Sequence, residues 1–199
     1  VSKRIKRDLE NQGIKVYLTR EKDVFIPLGD RPAFAKKKNA DLFVSVHANA
    51  ARQSQIKGFE VFYLSEATDD NARALAAAEN ESLKFEEISP DVEGNSNNPT
   101  LWDLVLSENR RQSKELAYYI CNTTSDRLCM KKRGVKGARF AVLKGASMPA
   151  VLIEVGFLSN SREESKLKTE SFRAELADAV SRSIRQYKEQ YENTNGFSR

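Results

Sequence analysis

The amino-acid sequence predicts an α/β fold: a twisted, mostly parallel sheet flanked by helices on both faces, carrying an inserted helix-and-loop segment. Three observations point there. Helical and extended patterns alternate along the first and last thirds of the 199 residues. Two runs, residues 41–50 and 148–157, are nearly continuous in apolar side chains, as strands covered on both faces are. Phe172, Leu176, Val180, Ile184 and Tyr187 recur at helical spacing, so residues 172–191 form a helix with one packing face.

Each element follows in order. Residues 2–12 read as an amphipathic helix with Ile5 and Leu9 on one face and Gly13 at the stop position. Residues 14–19 alternate and predict a strand. Asp30 can cap a helix running to about Lys38, with Pro32 in its first turn. The 41–50 strand comes next, and alternation over 58–64 predicts a third. Residues 69–85 are rich in alanine and prone to helix. Residues 89–99 are turn-rich with little to bury, and Thr100 or Asp103 can then cap a long helix to about Asp126. The chain therefore reads as one domain over 1–199 with an insert at 79–107, either a plain surface excursion or a lid. Residues 139–143 and 149–155 predict two further strands, and 193–199 a frayed tail.

Composition narrows the function classes. The net charge of +5, from 33 basic and 28 acidic side chains, is spread along the chain. It favours an anionic partner such as nucleic acid, an acidic glycan or a cell envelope. The basic residues form no stripe and the aromatics read as core, which argues against a nucleic-acid binder. No apolar run approaches the ~20 residues that span a bilayer. Cys121 and Cys129 read as two idle thiols or one local disulfide, and neither has a metal-type pair spacing. There is no glycine loop to cradle phosphate, and no serine on a glycine-flanked elbow.

The chemistry centres on two residues. His47 is the only histidine and closes the 41–50 run, and chemistry in open α/β sheets collects just beyond strand carboxyl ends. Glu154 lies inside the 148–157 run among Val151, Leu152, Ile153, Val155 and Phe157. Burying a carboxylate there costs several kcal/mol unless it is paired or working. A His with a Glu suits a zinc ligand with a general base, or an acid–base pair without metal. With one His and no cysteine cluster, a complete zinc site needs carboxylate ligands from elsewhere.

The order of motifs across the chain is more specific than any one of them. Val16-Tyr17-Leu18-Thr19-Arg20 precedes the Arg31 helix and Asn39-Ala40-Asp41-Leu42-Phe43. Ser45-Val46-His47-Ala48-Asn49-Ala50 and Gly58-Phe59-Glu60-Val61-Phe62-Tyr63 follow. Arg133-Gly134-Val135-Lys136 then leads through Phe140-Ala141-Val142-Leu143 to the run from Met148 to Asn160. In this order they resemble the zinc-dependent N-acetylmuramoyl-L-alanine amidases, the amidase type 3 family of bacterial cell-wall remodelling. The resemblance implies that His47 is a Zn2+ ligand and Glu154 the catalytic carboxylate. It implies hydrolysis of the amide between N-acetylmuramic acid and L-alanine of peptidoglycan, in the periplasm or cell envelope. Asn49, beside the metal strand, would orient water or substrate, or make a structural hydrogen bond. The alternative is a non-catalytic module of the same fold that binds peptidoglycan or a division protein.

The family's first zinc ligand is a His on an initial strand and its second a Glu before the first helix. Val1 stands after both, so the chain as written is expected to lack that strand, bind zinc poorly and be hydrolytically incompetent. The middle segment, from Asn71-Ala72-Arg73-Ala74-Leu75-Ala76 to Leu101-Trp102-Asp103-Leu104, resembles the regulated amidases of Gram-negative cell division. That likeness implies an inserted helix whose carboxylate plugs the metal's open position, with Glu79 as the plug and Glu81 as the alternative. It also implies an activator protein with a coiled-coil segment, docking near Leu83, Phe85 and Ile88.

Overall fold

A computed structural model describes residues 1–85 and 99–195. Helix α1 (Ser2–Glu10) and helix α2 (Asp30–Lys37) lead into strand β1 (Phe43–Asn49) and strand β2 (Phe59–Leu64). Helix α3 (Asp70–Glu79) continues into a 3-10 turn (Asn80–Phe85), and helix α4 (Pro99–Arg127) leads to strand β3 (Lys132–Ala138). A short 3-10 turn (Ala141–Leu143) precedes strand β4 (Ala150–Phe157), helix α5 (Ser161–Lys168) and helix α6 (Glu170–Asn195).

The strands form one sheet in the order β1-β4-β2-β3. The pairs β1/β4 and β2/β3 are parallel, whereas β2 runs antiparallel to β4. The sheet is thus mostly parallel, as the sequence predicts, but the helix-strand alternation around residues 58–64 does not reveal that β2 reverses. Two of the predicted strands move. Residues 14–19 form no strand and have no ladder partner among the described residues, although Ile14 and Val16 pack on the core. Alternation marks a face to bury but not a hydrogen-bonding neighbour. The strand expected at 139–143 is instead β3, hidden by its charges and glycines (Lys132, Arg133, Gly134, Lys136, Gly137) on an edge strand. At Gly137 a Cβ would come 2.6 Å from the Glu66 carbonyl oxygen and 2.9 Å from Ser65 Cβ.

Period-two alternation sends side chains to two apolar layers. Phe59, Val61, Val151, Ile153 and Val155 meet α1, α4 and α6 on one face, where Leu116, Ala117, Ile120 and Cys121 of α4 oppose Leu176, Ala177, Val180 and Ile184 of α6. Phe43, Phe62, Ala150 and Leu152 meet α2, α3 and the second 3-10 turn on the other. Strand β4 lies between β1 and β2 and is buried along its whole length. The two cysteines are free thiols, Cys121 buried and Cys129 exposed. Among the described residues no helix is long and apolar enough to cross a membrane. Residues 86–98 of the expected 79–107 insert, Ile88 among them, lie outside the described residues.

The end of β4 is tied to the start of β2 by one carboxylate. Glu163, in the first turn of α5, accepts hydrogen bonds from the N–H of Gly58 and of Phe157, both at 2.8 Å. Gly58 has φ +123°, and a Cβ there would collide with the Lys131 carbonyl oxygen and sit 2.9 Å from Arg133 Cγ. Gly58→Ala is therefore expected to lower unfolding stability by about 3 kcal/mol, read by urea titration. A change near zero would mean that this corner relaxes freely.

Candidate metal centre

Strand register alone brings three polar residues into one row. His47 pairs with Glu154 across β1/β4, and Glu60 pairs with Glu154 across β2/β4. Residues directly opposite one another project to the same face, here the one that carries α3. Two alanines of α3, Ala72 and Ala76, are buried against the layer containing Phe62 and Leu152. These small side chains, four residues apart, let the helix lie close to the sheet. Asp69 caps its start by accepting the Ala72 N–H at 2.7 Å. Glu79, the last residue of α3, is thereby carried over the strand ends, and its Oε2 lies 2.8 Å from His47 Nδ1.

His47, Glu79 and Glu154 each offer one ligand atom, and these atoms all lie within 4.8 Å of one another. Glu154 is fully buried and neither of its carboxylate oxygens has a hydrogen-bond partner. A buried carboxylate with both oxygens orphaned calls for a proton or a cation. One imidazole nitrogen and two carboxylates form a donor set that fits zinc or a similar divalent ion. Without an ion, burial above all, and then the charges of Glu79 and Glu60, push the Glu154 carboxyl up to about 9.

Of the four residues singled out from the sequence, the structure gathers His47, Glu79 and Glu154. Asn49 stands apart, buried at the end of β1 beyond a break in register, with its carbonyl accepting the Leu158 N–H at 2.7 Å. Glu81 is exposed and pairs with Lys84 at 3.5 Å, so Glu79 is the residue of that pair that reaches the cluster.

Sequence reasoning missed the group beside it. Glu60 is buried, and its Oε2 meets Arg133 Nε at 3.0 Å and Lys136 Nζ at 3.3 Å. Lys136 also reaches the capping carboxylate of Asp69 at 3.3 Å, linking the sheet to the start of α3. The signal was available: Glu60 is an acid inside the apolar run Phe59–Leu64, the same anomaly that singled out Glu154.

Comparison with known proteins fits this geometry. Residues 1–186 match the family profile described as N-acetylmuramoyl-L-alanine amidase. The chain is 37% identical over 190 residues to the N-acetylmuramoyl-L-alanine amidase AmiC of Escherichia coli O6:H1, covering 94% of this chain and 45% of that protein. It is 32% identical over 201 residues to AmiA of Escherichia coli K12, covering 100% of this chain and 70% of that protein. The chain thus spans less than half the length of that AmiC relative. Among solved structures, the N-acetylmuramoyl-L-alanine amidase AmiC2 of Nostoc punctiforme superposes with TM-score 0.69 at 26% identity, over 94% of this chain and 79% of that one. The catalytic domain of CwlV from Bacillus (Paenibacillus) polymyxa var. colistinus gives TM-score 0.69 at 25% identity, over 94% and 80%.

Proposed function

The chain belongs to the N-acetylmuramoyl-L-alanine amidase family, and from that premise we propose that it hydrolyses the amide joining N-acetylmuramic acid to L-alanine in peptidoglycan. The observation that carries the reading is the convergence of His47, Glu79 and Glu154 around the orphaned carboxylate oxygens of Glu154. His47 would hold a zinc ion, with Glu79 as a displaceable ligand and Glu154 beside it as the proton carrier. When bound, that ion supplies Lewis acidity toward the scissile carbonyl, acidifies a nearby water and favours the ionised form of Glu154.

The remaining work belongs to side chains of this protein. Glu154 takes a proton from the attacking water as the oxygen bonds to the carbonyl carbon. It then delivers that proton to the nitrogen of L-alanine as the C–N bond breaks, leaving the lactyl carboxylate on the sugar and a free amine on the peptide. Its position inside β4, buried on both faces, fixes the carboxylate against rotation and keeps bulk water from it. Asn49, at the neighbouring strand end, is suited to orient substrate at the same rim.

In this reading Glu79 is an inhibitory ligand, occupying with its carboxylate the place that water and the substrate carbonyl need. A protein that draws α3 away, of the coiled-coil kind that the likeness to regulated amidases suggests, would activate the enzyme by population shift. Such an enzyme works on the peptidoglycan of the periplasm or cell envelope, in wall remodelling and daughter-cell separation.

Release of stem peptide from purified peptidoglycan by the full-length protein, with added zinc or with chelator, tests this. Release that depends on zinc and stops with chelator is expected, and Glu79→Ala should raise basal release several-fold. Release indifferent to chelator would overturn the metal-based reading. Tight peptidoglycan binding without release, even in Glu79→Ala, would replace the enzyme with a binding module of the same fold.

A further inference from the structure

We propose that Asn80 is a latch, a positioning residue that holds Glu79 at His47 by clamping the end of α3 to the segment leading out of β3. The inference rests on reading Glu79 as an inhibitory ligand and names what keeps it in place. Asn80 directly follows Glu79, and its side-chain amide uses both ends on one stretch of backbone. Nδ2 donates to the Arg139 carbonyl at 2.9 Å, and Oδ1 accepts the Ala141 N–H at 2.8 Å. This double contact imitates the donor-acceptor exchange of a strand pair.

The anchor itself is firm, because Phe140, Val142 and Leu143 of the gripped stretch are buried in the second apolar layer. The helix being held is not. Its fully buried residues are two alanines, which contribute little apolar area, and its one large apolar side chain on that layer, Leu75, is only partly buried. Its start is fixed by the Asp69 cap and by Lys136. Past Asn80, residues Glu81, Leu83 and Lys84 are exposed. Beyond the packing of Leu75 and Ala76, the amide clamp is the polar tie on the end of α3, and Glu79 lies in the turn it holds.

The chemistry is specific to asparagine. Aspartate cannot donate to the Arg139 carbonyl and sets a negative charge against it, and alanine makes neither bond. Losing two neutral hydrogen bonds shifts a local equilibrium by roughly tenfold or more. The outcome would be a last turn that opens and a Glu79 that leaves the imidazole.

His47 is the only histidine of these 199 residues, and its imidazole resonances, assigned by their loss in His47→Gln, report the Glu79 contact without metal or turnover. We would record those resonances in the metal-free full-length protein, and basal peptide release with zinc, for wild type, Glu79→Gln, Asn80→Ala and Asn80→Asp. Both Asn80 variants should move the His47 resonances toward those of Glu79→Gln and raise basal release roughly tenfold. Amide protection in β2 and β4 should stay at the wild-type level. If Glu79→Gln moves both readouts and the Asn80 variants move neither, the latch is wrong and the reading of Glu79 stands. If Glu79→Gln moves neither readout, the reading beneath the latch fails as well. Loss of protection in β2 and β4 in both Asn80 variants would make Asn80 a general structural residue and overturn the proposal.

Discussion

Glu154→Gln is expected to lower peptide release by about 10²- to 10⁴-fold, the range that a positioned general acid–base group contributes, with folding retained. The substitution keeps the size of the side chain and removes its capacity to take and return a proton. The site is fully buried, so a glutamine is as well packed there as a protonated glutamate. A second expectation separates this from simple damage. In metal-free protein the Glu154 carboxyl sits up to about 9, against an ordinary 4.5, because burial and the charges of Glu79 and Glu60 oppose ionisation. Below pH 4.5 both folded and unfolded chains carry the proton and nothing is gained or lost. Between 4.5 and 9 the unfolded chain releases it and the folded chain does not, so stability falls as pH rises, by at most about 1.4 kcal/mol per pH unit. Glutamine has no such slope. Urea unfolding in chelator should therefore show Glu154→Gln gaining on wild type steadily from pH 5 to 8. Parallel pH profiles would mean that Glu154 is paired in a way this geometry does not contain, and unchanged turnover would place the base elsewhere.

The two features that made Glu154 and His47 conspicuous are local, and local features survive in a sequence. A strand buried on both faces has to be apolar, so one carboxylate inside it is visible at once. What was not legible is pairing. Residues 14–19 alternate as well as β2 does, yet only β2 has neighbours on both sides. β3 carries Lys132, Arg133, Lys136 and two glycines, and at a sheet edge such residues are compatible with a strand. Because the register between β2 and β4 is a tertiary fact, the sequence could not say that Glu60 stands opposite Glu154. The contact of Glu79 with His47 is intermediate: the resemblance to regulated amidases implied Glu79, with Glu81 as the alternative, and the docking of Ala72 and Ala76 on the sheet is what carries Glu79 to the imidazole.

Glu60 carries a large expected effect on stability, comparable to that at Gly58. It is buried, and its partners Arg133 and Lys136 keep only 18% and 14% of their side-chain surface exposed. Burying one acid with two bases is tolerable because each charge has a close opposite. In Glu60→Gln two cations remain largely desolvated with a neutral amide between them, and Lys136 keeps only Asp69. The expected loss is about 3 kcal/mol, since removing one member of a buried ionic group leaves the others uncompensated. The charges, not the shape, should account for it: adding Arg133→Met and Lys136→Met to Glu60→Gln removes the stranded cations and should recover most of the loss. Urea unfolding of the single and triple variants reads both values. If Glu60→Gln unfolds like wild type, water reaches this group freely and the sheet does not depend on it. If the triple variant is no better than the single one, the damage comes from packing at the β2/β4 pair instead.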